Sequence, residues 1–346
     1  MVGLPGGRGP RVLVIAMRSP LRGPICRGVR EGGGEVVGIA EKPVPTGKRP
    51  VMWGPSSAGS PDGPAGRVPG PRYAIADGSE REQLAALVER LRPDMAVVSR
   101  WGLLSPELIR AFPLGILNTH LSLLPELRGK HPTAGALLAG LRRTGVSIQF
   151  MQEGIDTGPV LLQRPFPIVD GDREEEVTAR GASLLAHMYR HAIAGIRTGR
   201  YPEGRWGSTG MECHFSWRRQ FGSEPPNRLP VDWTAPAWLI QRVIRFRSCY
   251  TSLDGWDVTL RRARPDEAFP EDGRSGAPGE VLAVRGRWMR VGTGQGVAEL
   301  EVDAPAGDLA PGVRFESARW PRWREFVDWV EALPREVKRT GTACRA

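Results

Sequence analysis

Short, wholly apolar runs alternate along this chain with longer amphipathic stretches. Residues 11–17, 35–39 and 95–99 are segments of strand length, continuously apolar apart from the terminal Arg11, Glu35 and Ser99, the pattern of strands covered on both faces. Between them lie helical stretches. Ser19-Pro20 opens one that runs to about Arg30 and closes at Gly32-Gly33-Gly34. A second is apolar at Leu84, Leu87, Val88 and Leu91, and Ser79-x-x-Glu82 ahead of it has the form of a capping box. Ser105-Pro106-Glu107 caps a third, short helix ending near Pro113. A long helix follows from Glu174 to about Arg197, apolar at Val177, Leu184, Leu185, Met188, Ile193 and Ile196. The β-α-β order predicts an α/β fold with a doubly wound parallel sheet.

The pattern changes after residue 230. Residues 237–247 are helical in period, and four strand-sized pieces follow at 256–260, 279–284, 288–291 and 297–302, parted by glycine-rich turns. Their size and spacing predict a small, half-open, OB-like β barrel, with a last helix over 320–337. Gly292-x-Gly294-x-Gly296 has no helix after it and reads as a hairpin turn rather than a phosphate loop. Residues 43–73, rich in Pro, Gly and Ser, cannot bury enough surface to order themselves and read as a mobile loop. Residues 200–230 are a polar stretch with Trp206 and Trp217. The expected organisation is a catalytic domain over 11–199, a linker over 200–230 and a C-terminal domain over 231–337. No internal repeat is visible.

Composition narrows the function classes. With 346 residues, 40% hydrophobic and 25% charged, the chain can bury the cores of two globular domains. No apolar run is long enough to span a bilayer, and the start is too short in apolar residues for a signal peptide, so the expected location is the cytoplasm. Cys26, Cys213, Cys249 and Cys344 are scattered without a C-x-x-C pair, which speaks against a disulfide framework or a zinc knuckle. The formal charge of +10 is nearly all arginine, lysine standing only at 42, 48, 130 and 338. That surplus suits an anionic acceptor or the acidic tail of a folate, yet no dense basic run marks a nucleic-acid surface. No G-x-G-x-x-G follows the first strand, which speaks against a dinucleotide. His187 and His191 stand four apart on the long helix. With no third ligand near, they read as surface or packing histidines, and no metal is expected.

The chemistry concentrates between residues 114 and 165. Gly115-Ile116-Leu117 leads into Asn118 and His120, which project from the same face of a strand while Thr119 faces away. A second apolar strand, 146–151, empties into Gly154-Ile155-Asp156-Thr157-Gly158-Pro159. An amide and a protonated imidazole can hydrogen-bond a developing oxyanion. A carboxylate can hold that imidazole charged or accept a proton. Singly, such residues are ordinary: a histidine at a strand end is commonly structural, and an aspartate before Thr-Gly-Pro commonly makes a turn. Together they suit acyl transfer. Trp101-Gly102-Leu103-Leu104 lies at the carboxyl end of another strand, where open α/β sheets bind ligands, although a lone tryptophan there also reads as core.

Asn118-x-His120-x-Ser122-Leu123-Leu124-Pro125, Arg128-Gly129, Gly145-Val146-Ser147-Ile148 and Asp156-Thr157-Gly158-Pro159, in that order, resemble the core of the 10-formyltetrahydrofolate-dependent formyltransferases. That group includes enzymes acting on methionyl-tRNA, glycinamide ribonucleotide and amino sugars. The resemblance implies 10-formyltetrahydrofolate as formyl donor and Asn118, His120 and Asp156 as catalytic residues. It implies Ser122, Leu123, Leu124 and Pro125 as a folate-facing turn, with Trp101 and Leu103 near the pterin. The order Asp232-Trp233, Leu253-Asp254-Gly255, Pro278-Gly279-Glu280-Val281 resembles the second domain of the two-domain tRNA type.

Several positions depart from the family's patterns. Gln149 stands where the purine branch has a histidine. Gly129-Lys130-His131-Pro132 replaces the Gly-Ala-Ala-Pro of the tRNA branch, and residues 245–250 lack its Pro-Gly-Ala. The 43–73 stretch holds Lys48, Arg49 and Arg67, sparse for a loop that grips tRNA. These departures favour a small biosynthetic amine, an amino sugar or amino acid, as acceptor. The alternatives are initiator methionyl-tRNA, water in a formyltetrahydrofolate hydrolase, and a non-catalytic folate or RNA binder.

Overall fold

The computed structural model describes residues 8–17, 19–42, 70–200, 228–246, 248–264, 276–303, 309–320 and 322–332. The expected loop over 43–69, the linker over 201–227, Cys213, Cys344 and the end of the last helix at 333–337 lie outside them. The chain divides into two compact units. One gathers Met1–Pro132, Thr144–Pro167 and Glu175–His214, the other Thr133–Arg143, Ile168–Glu174 and Phe215–Ala346.

In the first unit, strands β1 (Arg11–Ala16), β2 (Glu35–Glu41), β3 (Arg72–Ala74), β4 (Met95–Ser99), β5 (Ile116–His120), β6 (Arg143–Phe150) and β7 (Val160–Pro167) form one sheet in the order β3-β2-β1-β4-β5-β6-β7. Pairings from β3 through β5 are parallel, and β6 runs antiparallel to β5. Helices α1 (Arg22–Glu31), α2 (Glu80–Leu91), α3 (Pro106–Arg110) and α5 (Glu174–Thr198) cover it. Of the runs that predicted β1 and β4, Val12 through Ala16 are each fully buried and Met95 through Val98 nearly so, while Met17, just past β1, is exposed. The chain leaves β1 for β2 on one side and returns to β4 on the other. The carboxyl ends of β1 and β4 therefore flank a topological switch point, where such sheets bind ligands.

Two local expectations are corrected. Ser79 makes no side-chain cap to the start of α2. Its hydroxyl instead accepts from Gln83 Nε2 one turn on, so the sequence pattern of a capping box is present without its hydrogen bonds. The stretch expected as loop through residue 73 already contains β3, which adds to the edge of the sheet beside β2. Ser105 behaves as expected, its Oγ accepting from Leu108 N at 3.4 Å.

In the second unit, β8 (Arg228–Pro230), β9 (Ser248–Leu253), β10 (Trp256–Ala263), β11 (Val281–Arg285), β12 (Trp288–Gly292) and β13 (Val297–Val302) form a sheet in the order β11-β12-β13-β10-β9-β8, antiparallel except at β8–β9. Glu316 bridges Ser252 in β9, and Arg314 bridges Glu280 ahead of β11. One short segment thus stitches both sides of the sheet, which curls it into the expected half-open barrel. Helix α6 (Ala237–Phe246) and the fully buried Trp233 fill its core. Trp233 stacks on Phe315 at 5.8 Å and donates Nε1–H to Thr251 Oγ1 at 3.0 Å. Asp232, almost fully buried, accepts from the backbone of Thr234 and Trp320, which explains the Asp-Trp pair seen in the sequence. Helix α4 (Pro132–Leu138) groups here, Arg242 reaching the Leu138 carbonyl at 3.2 Å. The last helix, α7, is described over Trp323–Ala332.

Candidate active site

Strand β5 ends in Asn118, Thr119 and His120, and its alternation separates them as its period requires. On the rear face, the Thr119 hydroxyl meets the phenol of Tyr189, on α5, at 2.7 Å. Tyr189 is fully buried, and burial pushes its phenol well above the ordinary range, so it stays protonated as a hydrogen-bonding strut. On the front face, Asn118 is half-buried and His120 buried at 5% exposure.

Asp156 reaches the same place from the loop between β6 and β7. Its Oδ1 accepts from Asn118 Nδ2 at 3.1 Å and Gln149 Nε2 at 2.8 Å. Its Oδ2 accepts from Gly129 N at 2.9 Å and lies 3.5 Å from His120 Nδ1. Donors on both oxygens fit an ionised carboxylate held in one orientation. His120 Nε2 donates to the Leu127 carbonyl at 2.8 Å. Both ring nitrogens therefore face protein oxygens. Asp156 has φ 49° and Leu127 φ 52°, two non-glycine residues in the left-handed region. Behind Asp156, a Cβ at Gly158 would lie 1.7 Å from the Phe150 carbonyl oxygen, so the loop closes on β6 only with glycine there.

The three residues expected to act together are thus brought within hydrogen-bonding or ion-pair reach. Gln149, singled out in the sequence only as a departure, joins them. Asn118 and Gln149 are direct partners in the antiparallel β5–β6 pairing, which puts both on one face. The Gly129 amide was not foreseen, and no side-chain pattern could mark it.

Ser122, Leu123 and Leu124 are buried, and the turn through Pro125, reached by a cis peptide bond, is fastened from β6 and β7. Ser122 Oγ donates to the Glu126 carbonyl. Ser147 Oγ donates to the Ser122 carbonyl at 2.6 Å and accepts from Leu124 N at 3.1 Å, and Gln163 Nε2 donates to the Leu124 carbonyl at 3.0 Å. Trp101 is half-buried against the core beside Leu104 and Met151, with the Lys42 ammonium 5.5 Å from its ring centroid. Leu103, by contrast, is 81% exposed at the carboxyl end of β4; Met17, just past β1, and Ile155, next to Asp156, are exposed too. Exposed apolar side chains of this kind can take up a flat, partly apolar ligand. His187 and His191 meet edge to face at 4.4 Å on the exposed side of α5, away from these residues in the sequence and on no shared element.

A profile of the formyl transferase family matches residues 49–193. A methionyl-tRNA formyltransferase of Anaeromyxobacter dehalogenans (strain 2CP-1) is 34% identical over 251 residues, 68% of this chain and 77% of that protein. The methionyl-tRNA formyltransferase of Stutzerimonas stutzeri (strain A1501) is 32% identical over 285 residues, 75% of this chain and 85% of that protein. Among solved structures, HypX from Aquifex aeolicus superposes with a TM-score of 0.55 at 15% identity, covering 94% of this chain and 48% of that one. This chain spans about half of HypX, and the likeness concerns the fold.

Proposed function

This chain belongs to the formyl transferase family, and from that premise we propose that it carries the formyl group of 10-formyltetrahydrofolate to the amine of initiator methionyl-tRNA, using Asn118, His120 and Asp156. The observation that carries the catalytic reading is the Asp156 carboxylate, ionised in form and fixed by donors from Asn118, Gln149 and Gly129 beside the His120 ring.

The amine nitrogen attacks the formyl carbon, a C–N bond forms, and the carbonyl oxygen takes negative charge. Asn118 has a second amide N–H with no acceptor among the described residues, and it is half-buried, so it is the group that meets this oxygen. His120, with both nitrogens already facing protein oxygens, has no free N–H for it and instead holds its place between Asp156 and the Leu127 carbonyl. Asp156 takes the amine's proton, directly or through a water. It returns the proton to the folate nitrogen as the old C–N bond breaks. Leu103, Ile155 and Met17 offer apolar surface to the pterin, with Trp101 behind. The turn from Ser122 to Pro125 sets the floor.

Relatives named for methionyl-tRNA, matched over about three quarters of their length, support that acceptor over the small amine favoured by the sequence departures. In this reading residues 11–199 form the catalytic domain and 231–337 the second domain, and the enzyme works in the cytoplasm. Among the described residues no helix is long and apolar enough to cross a membrane. One observation keeps a small amine as second reading. Arg245, where the tRNA branch differs, is occupied internally, its Nε and Nη2 on the carbonyls of Asp172 and Val169. The test compares formylation of charged initiator tRNA with that of a panel of amino sugars and amino acids. Transfer to methionyl-tRNA at a kcat/KM of about 10⁴ M⁻¹s⁻¹ or more supports the proposal. Transfer confined to a small amine replaces the acceptor, and transfer to neither overturns the reading.

A further inference from the structure

Gln149 is 2% exposed and stands opposite Asn118 across the β5–β6 pair. Its Nε2 makes the shortest contact on Asp156, 2.8 Å, while its Oε1 is buried with no hydrogen-bond donor. Turning the amide over would give Oε1 to the carboxylate, oxygen against oxygen, so Asp156 dictates which way the side chain points. A buried acceptor left without a donor works against folding. A methionine of similar length would fill the space without that cost. The side chain is therefore less favourable to folding than an apolar one, and what it does retain is its grip on Asp156.

Asp156 needs that grip. Its backbone is left-handed, and Asn118, the other donor on Oδ1, is the half-buried one whose amide must also serve the reacting oxygen. Asn118 divides its amide between Oδ1 and the reacting oxygen, so Gln149 is the donor committed to Oδ1 alone. We propose that Gln149 is a positioning residue that fixes the Asp156 carboxylate in the orientation that receives the acceptor's proton. This rests on the formyl-transfer reading of the site.

The test uses the full chain with Gln149→Met, which removes the donor and the orphaned acceptor together, and Gln149→His, which restores a donor. Gly129 N–H, bonded to Asp156 Oδ2, reports the carboxylate's place through its amide resonance. Gln149→Met is expected to melt at or above the wild-type temperature and to shift that resonance. Its kcat should fall about 10-fold or more with KM for the formyl donor nearly unchanged. Gln149→His should recover part of kcat. An unmoved Gly129 resonance with unchanged kcat overturns the proposal. So does a loss of kcat that tracks a lowered melting temperature and that histidine does not rescue. If the wild type formylates no amine, the site reading fails instead, and the Gly129 resonance and melting temperatures still decide whether Gln149 holds the carboxylate.

Discussion

Asp94 joins the first residue of β1 to the approach to β4. It accepts from Arg11 N at 2.7 Å and from both terminal nitrogens of Arg8, at 2.7 and 2.8 Å. Burial pushes its carboxyl up, but the Arg8 and Arg11 hydrogen bonds and the charge of both arginines outweigh it, and the net shift is below the ordinary carboxylate value. A carboxyl depressed in the folded state contributes stability above its unfolded value, about pH 4, and loses it as pH falls through the depressed folded value. Asp94→Asn should therefore be less stable than wild type at pH 7, with the gap closing on acidification, as read from urea midpoints. A gap independent of pH would contradict this. The candidate site residues show what residue-level reading can and cannot see. Asn118 and His120 were readable as a pair because strand alternation is local. The part of Gln149 was not, because it depends on which residue of β6 lies opposite Asn118, a register set by long-range pairing. The strain at Asp156 and Leu127 was equally hidden, since both are ordinary residues until the backbone places them at positive φ.

The elements most legible in advance were those whose apolar pattern is self-sufficient: β1, β2, β4, α5 and the strands from β10 to β13. Less legible were β7, β9 and α4. β7 is an edge strand whose sequence alternates poorly and mixes Gln163, Arg164 and Pro165. β9 is short and half polar, and α4 hides in a stretch that reads as turns. The antiparallel run of β6 was not readable either, because strand direction belongs to the connection rather than to the strand. Helix α5 links this scaffold to the site. A Cβ at Gly28, in α1, would lie 2.3 Å from the Ala186 carbonyl oxygen and 2.8 Å from Tyr189 Cβ, so α1 and α5 pack this closely only across glycine. Gly28→Ala should destabilise the fold by about 1–3 kcal/mol, because backbone rather than a flexible side-chain end must move. A lowered denaturant midpoint checks it, and a neutral substitution would show that the two helices can separate freely. Since Tyr189 supports Thr119 behind the active strand, that packing reaches the site through one hydrogen bond.

At the scale of the whole molecule, an arginine-rich chain of charge +10 carries a field that draws anions. If the acceptor is methionyl-tRNA, kcat/KM for it should fall steeply as salt rises, while the rate on any small amine should change little. The presence of a mostly parallel sheet and a mostly antiparallel one was legible from the change of pattern near residue 230, while the grouping of Thr133–Arg143 and Ile168–Glu174 with the second unit was not. The identity of the acceptor was not, because it depends on surfaces whose sequence departs from the relatives' motifs. The catalytic account depends most directly on one carboxylate. Its decisive measurement is the initial rate of formyl transfer from 10-formyltetrahydrofolate to methionyl-tRNA by wild type and by Asp156→Asn, with the unfolding midpoint of each. The account predicts transfer by the wild type and a fall of about 10²- to 10⁴-fold in the variant at an unchanged midpoint. Turnover by Asp156→Asn close to the wild-type rate would contradict it.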